Sequence, residues 1–206
     1  VLANTRPDLY LISMKLFKNI KKWLENQEHL FYLFLFILIV PNIVLCFTEP
    51  LPFMAKVANV LLPFGCYYLL MTLSRNCGKM LWILFLFLFF GAFQIVLLYL
   101  FGQSIIAVDM FLNLVTTNSS EALELLDNLT PAIIAVIILY VPALILGTIS
   151  IIRKRKLTVE FIRRERKRAF LVFGISLLSL VGAYVQDSGY ELKSDLYPLN
   201  VCYNVG

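Results

Sequence analysis

Three polar side chains follow one another at intervals of four residues in a largely apolar part of the chain: Asn113, Thr117 and Glu121. Residues four apart on an α-helix lie on one face, so a continuous helix would present an amide, a hydroxyl and a carboxylate in one row. A carboxylate beside neutral acceptors suits an ammonium group or a polar lipid head, because charge-assisted hydrogen bonds are the stronger kind. The spacing therefore predicts a polar row that is able to hold an ammonium group or the polar head of a lipid.

A second interpretation of Glu121 comes from Asn118, which precedes it by three residues. This is the spacing of a capping box, here led by Asn, in which the carboxylate accepts a hydrogen bond from the backbone of the cap residue. Glu121 would then begin a second helix and would hold no ligand. A cap can also orient a residue that binds, so the sequence leaves both interpretations open.

The row lies in a long segment, residues 102–130, between two strongly apolar blocks. Its apolar residues repeat at helical spacing, which predicts one or two helices near a membrane interface. The charged residues of this segment are all acidic: Asp109, Glu121, Glu124 and Asp127.

Composition predicts that these elements belong to a membrane protein. The 206 residues are 60% hydrophobic and 15% charged, whereas soluble domains are about 45–50% apolar and about 25% charged. A helix that crosses a bilayer needs about 20 apolar residues. The fold class predicted is an all-α membrane protein with five transmembrane helices, plus interfacial helices in the outer loop between spans 3 and 4. The spans are expected at residues 29–47, 53–73, 80–101, 131–152 and 169–185.

The basic residues predict the orientation, because Lys and Arg accumulate in cytoplasmic loops. Residues 1–28 contain five of them, residues 74–79 two and residues 153–168 nine, which together are 16 of the 18 in the chain. These segments are expected in the cytoplasm and residue 206 outside. The predicted organisation is an amphipathic lead at 1–28, a five-span domain at 29–185 and a periplasmic linker at 186–206.

The basic loop at 153–168 also has the charge of a nucleic-acid-binding segment. Because it lies between two spans, it is interpreted as a topology determinant that contacts membrane lipids, and nucleic acid is not expected as a partner. The cysteines have no metal-type spacing and His29 is the only histidine. No metal site and no catalytic residue is therefore predicted within this chain.

Residues 109–126, DMFLNLVTTNSSEALELL, resemble the periplasmic segment of lipid phosphoethanolamine transferases. This family includes the lipid A transferases and the mobile colistin-resistance enzymes. Its membrane domain has five spans and a motif N-x-x-x-T-N/D-x-x-E after the third, which here is Asn113, Thr117, Asn118 and Glu121. The sequence YPLN at 197–200 is similar to the family's exit from the membrane.

The resemblance implies transfer of phosphoethanolamine from phosphatidylethanolamine to a lipopolysaccharide acceptor, lipid A or a core sugar, in the bacterial inner membrane. It implies a zinc-dependent periplasmic domain of the alkaline phosphatase/sulfatase type after the fifth span, with a threonine nucleophile, and a role in polymyxin resistance. Asn113, Thr117 and Glu121 match positions implicated in holding the donor lipid. Thr117 is not expected to be the nucleophile.

Three other functions remain open at this stage. Lipoteichoic acid synthases share the five-span architecture but handle glycerol phosphate and would not need the polar row. A transporter usually has ionisable residues inside its spans, and the predicted spans contain almost none. A structural or interaction subunit without chemistry is the third alternative.

Overall fold

The computed structural model describes residues 7–101 and 119–205, and within them the regular secondary structure is helical. This confirms the predicted all-α class. The helices are α1 (Pro7–Glu25), α2 (Gln27–Thr48), α3 (Phe53–Met71), α4 (Cys77–Ile83), α5 (Phe85–Phe101), α6 (Ser119–Ile152), α7 (Val159–Gln186), α8 (Leu192–Asp195) and α9 (Leu199–Val205).

Four of these helices are long and apolar enough to cross a membrane: α2, α3, α7 and the part of α6 from Leu129 to Ile152. Residues 77–83 and 85–99 meet the same criterion together, as one span bent by 64°. Many large apolar side chains are exposed on these helices, including Phe36, Ile138 and Leu178. Such surfaces are stable in lipid, so the protein is a multi-pass membrane protein. The described residues contain four candidate spans, or five when the bent pair counts as one.

The bend at Leu84 divides a span that the sequence predicts as continuous from residue 80 to 101. Sharp bends usually occur at proline, glycine or an inserted group, and neither proline nor glycine lies at this position. The helix before the bend is held against α6, where a Cβ added at Gly78 would lie 2.2 Å from the carbonyl oxygen of Gly147. Small residues permit such close approach of transmembrane helices.

The predicted basic loop at 153–168 is largely helical. The loop is therefore shorter than predicted, and the helix of the fifth span begins earlier. Helix α7 begins at Val159, and the Thr158 hydroxyl caps it by accepting a hydrogen bond from the Phe161 backbone N–H at 3.2 Å. Arginine and lysine are good helix formers, and Glu160 in the first turn favours a helix start. The run of apolar residues predicted only the later part of this helix, residues 169–185, because the first three turns of the helix are charged.

Helix α6 also begins earlier than predicted. It runs without interruption from Ser119 through Pro131 and Pro142 to Ile152, whereas the fourth span was expected to open on Pro131. Prolines inside membrane helices are tolerated where neighbouring groups satisfy the freed carbonyls. Residues 119–130 of the predicted outer loop are therefore an extension of the fourth span.

The three basic segments meet at one end of the bundle, which we call the basic end. Arg155 Nη1 donates to the Glu25 carbonyl at 3.0 Å, and Arg166 Nη2 donates to the Thr72 carbonyl at 2.8 Å. Arg75 Nε donates to the carbonyl of Leu157 at 2.9 Å. The sequence correctly placed these segments on a common side of the bundle.

The C-terminal segment, residues 187–205, returns to the opposite end of the bundle, which we call the distal end. Tyr190 is buried against alanines of α3 and α7, and Tyr197 and Val201 pack with Leu45 and Leu97. The segment predicted as a linker at 186–206 is thus packed against the bundle over much of its length, because its tyrosines and leucines bury apolar area that an extended connector would expose.

Candidate functional site

The predicted polar row falls mostly outside the described residues. Asn113 and Thr117 lie in 102–118, and Asn118, the proposed cap, lies there too. Glu121 belongs to the first turn of α6, which begins at Ser119, but its side chain also lies outside the description. The lipid-binding and capping interpretations of Glu121 therefore both remain predictions.

A buried polar cluster at the distal end holds the C-terminal segment to α2 and α3. The Asn42 amide Nδ2 donates to the carbonyl of Tyr197 at 2.7 Å and to that of Asn59 at 3.0 Å. The Asn59 amide donates to the carbonyl of Asp195, and the Tyr190 hydroxyl donates to Asn59 Oδ1. Buried polar groups are costly unless they are hydrogen-bonded. These bonds therefore fix the position of the segment.

Tyr190 and Tyr197 of this segment stay neutral. Burial, followed by the charge of Asp195, raises the pKa of Tyr190 above its ordinary value, and burial likewise raises the pKa of Tyr197. Because the ordinary pKa of tyrosine is already about 10, both hydroxyls keep their protons at physiological pH. Tyr190 can consequently serve as a permanent hydrogen-bond donor to Asn59.

An apolar cavity of about 240 Å³ lies between α3, α5, α7 and the C-terminal segment. Its lining includes Leu62, Cys66, Tyr67, Phe87, Phe173 and Pro198, and no charged side chain takes part. A lining of this kind suits part of a lipid acyl chain and offers nothing to a charged headgroup. Any headgroup chemistry must therefore take place elsewhere.

A buried carboxylate, Glu165, lies within the basic stretch of α7. Its side chain is 0% exposed and accepts hydrogen bonds from the Tyr68 hydroxyl, from Arg164 Nε at 2.8 Å and from Arg168 Nη1 at 2.9 Å. The two arginine side chains are 54% and 58% exposed. The arginines and the tyrosine satisfy the carboxylate, so this group fastens α7 to α3 and is not a free acid for catalysis.

Glu165 and the two asparagines of the distal cluster were not among the site residues predicted from the sequence. A signal for Asn42 and Asn59 was available, because an amide within an apolar span must face the protein interior to find a partner. Glu165 offered only a weak signal, since one carboxylate among the five basic residues of 163–168 is the pattern expected of an exposed charge.

Among the side chains that the structure describes, no three from His, Cys, Asp or Glu lie together in a way that could hold a metal ion. The zinc implied by the resemblance is expected in a separate domain, so this result does not test it.

The fold and its apolar surface define the class: an all-α, multi-pass membrane protein with polar clusters at both ends of the bundle. Comparison with known proteins adds no narrower assignment, since no family model, curated protein or solved structure matches the chain.

Proposed function

We propose that this chain is the membrane domain of a lipid phosphoethanolamine transferase, which anchors the enzyme and helps to bind the phosphatidylethanolamine donor. The observation that carries the proposal is the motif of Asn113, Thr117, Asn118 and Glu121 after the third span. Ethanolamine is a primary ammonium at neutral pH. A carboxylate with neighbouring neutral acceptors is a suitable partner for it.

The length of α6 supports a headgroup site near Glu121. Its 34 residues correspond to about 50 Å of helix, whereas the hydrocarbon core is about 30 Å thick. Since Ile152 lies at the basic end, a core of this thickness takes up about 20 residues of α6 before it, and the first turns of α6 would extend beyond the hydrocarbon at the distal end. Glu121 would there meet headgroups, while the apolar cavity accommodates part of an acyl chain.

In this proposal the chain performs positioning and leaves the chemistry to another domain. Zinc and the threonine nucleophile would belong to a periplasmic domain attached after residue 206, and the acceptor would be lipid A or a core sugar. The docking of residues 187–205 by Asn42 and Asn59 would set the starting point of that domain relative to the donor.

We expect that Glu121→Gln in the full-length protein reduces phosphoethanolamine transfer roughly ten- to a hundredfold at near-normal expression. A hydrogen bond to a charged group contributes about 1.5–3 kcal/mol, which corresponds to that range. Transfer from labelled phosphatidylethanolamine to lipopolysaccharide in membrane vesicles measures the effect. Asn113→Ala and Thr117→Ala should reduce transfer less.

Glu124→Gln is the matched control, because it removes the same charge from the same segment outside the motif. The thermal stability of both purified variants should be measured with the activity. If Glu121→Gln melts earlier but transfers as fast per folded molecule as Glu124→Gln, Glu121 is only a helix cap. A full-length protein without transfer activity would refute the proposed function itself.

The orientation is part of the proposal: the basic end faces the cytoplasm of a bacterial inner membrane, and the distal end faces the periplasm. In a background without the four native cysteines, we expect Ser120→Cys to react with an impermeant maleimide in intact cells. Glu160→Cys, an exposed position at the basic end, should react only after permeabilisation. The reverse pattern would invert the topology.

A further inference from the structure

A groove of about 230 Å³ lies at the basic end between α1 and the last turns of α6. Ile20 and Leu24 of α1 and Leu146 and Ile149 of α6 form apolar walls. The groove is also lined by four charged side chains, Lys21, Glu25, Arg153 and Arg155. It thus combines an apolar trough with a charged margin, as a phospholipid requires.

The charges that line the groove do not balance. Glu25 Oε1 lies 3.8 Å from Arg153 Nη1 and 3.9 Å from Arg155 Nη2, so a single carboxylate forms salt bridges with both arginines. Three basic groups against one acidic group leave two positive charges. The Arg153 side chain is 56% exposed, against 21% for Arg155. Arg153 and the exposed Lys21 are therefore the groups available to an incoming anion.

The position of α1 is determined by contacts at its C-terminal end. Arg155 donates to the Glu25 carbonyl, and Trp23 stacks on His29 with ring centroids 4.9 Å apart. The apolar side chains of Leu16, Ile20 and Trp23 nevertheless remain about half exposed. An amphipathic helix with an uncovered apolar face and a row of lysines lies in the membrane interface, where lipid covers that face.

We propose that this groove binds one anionic phospholipid of the leaflet at the basic end. Lys21 and Arg153 contact the headgroup phosphate, and one acyl chain lies along Leu24, Leu146 and Ile149. Charge complementarity selects an anionic over a zwitterionic headgroup, and the apolar walls select a lipid over a soluble anion. The inference does not depend on the transferase proposal, since it concerns the other end of the bundle.

Native mass spectrometry of the purified chain, titrated with phosphatidylglycerol or phosphatidylcholine, tests this site. We expect phosphatidylglycerol to bind more tightly than phosphatidylcholine. The variant Lys21→Gln/Arg153→Gln should weaken phosphatidylglycerol binding about thirtyfold, because each basic residue near an anionic group contributes roughly a factor of five. Lys22→Gln/Lys156→Gln is the matched control, since it removes the same charge from exposed positions that do not line the groove.

The control variant should retain wild-type binding. Equal weakening by both double variants, or equal binding of the two lipids, would overturn the site in favour of general charge attraction. Inorganic phosphate should not compete at concentrations that match the lipid, and effective competition would refute the acyl-chain part of the site. Lys21→Gln alone alters one exposed side chain, so it tests the site without affecting folding. It should weaken phosphatidylglycerol binding about fivefold.

Discussion

Gly78→Ala is expected to destabilise the protein by about 3 kcal/mol or more, at the upper end of the range for overpacking. The added Cβ would lie 2.2 Å from the carbonyl oxygen of Gly147, 2.9 Å from its carbonyl carbon and 3.0 Å from its Cα. All three atoms belong to the backbone, so no side chain can rotate away. Helices α4 and α6 must separate, which also disturbs the bend that follows α4.

Two other glycine-to-alanine changes provide a graded control. At Gly147 the new methyl group would meet Leu81 Cδ2 at 3.1 Å, a flexible side chain that can adjust, so we expect a smaller loss. At Gly174 nothing lies within 4 Å, and the gain in helix propensity should stabilise by up to about 1 kcal/mol. Thermal melting in one detergent ranks the three variants. A Gly78→Ala protein that melts like Gly174→Ala would disprove the close contact.

Glu165→Ala is expected to lower stability by about 2–3 kcal/mol, because the buried Tyr68 hydroxyl loses a charged acceptor and α7 loses its bond to α3. The effect should stay below that of a fully buried ion pair, since Arg164 and Arg168 are half exposed and can be solvated. For a domain of this size, each kcal/mol corresponds to about 2–4 °C in Tm.

Glu160→Ala is the control for this prediction, because Glu160 is an exposed glutamate one turn earlier on the same helix. It should cost no more than about 1 kcal/mol through the helix dipole. The Tm values of purified Glu165→Ala and Glu160→Ala, each compared with the unsubstituted protein, test this prediction. Equal melting of both would mean that Glu165 is solvated and does not fasten α7 to α3.

The spans illustrate which features are accessible from sequence. A membrane-crossing helix can be recognised by a run of about 20 mostly apolar residues. In α2 the predicted span 29–47 lies within the observed helix Gln27–Thr48. The shared end of the basic segments was accessible for the same reason, because charge cannot cross the hydrocarbon. Both signals are local in the chain and require no knowledge of packing.

The predicted helix boundaries were wrong where a helix continues into polar sequence. Helix α7 starts at Val159 and α6 at Ser119, about ten residues before the apolar stretch that predicted each span. Helix formation depends on backbone hydrogen bonds and caps, whereas the apolar criterion reports only lipid contact. The proposed row at Asn113, Thr117 and Glu121 was likewise predicted from local spacing and stays a prediction.

The order of residues along the chain is enough to predict a helical membrane protein and the segments that share an end, because both follow from the cost of placing polar groups in hydrocarbon. Which polar residues are buried together became known from the folded chain. Tyr68 and Glu165 are 97 positions apart, and Asn42 and Tyr197 are 155 apart. Such pairs arise from how helices pack, so no pattern in neighbouring residues can specify them.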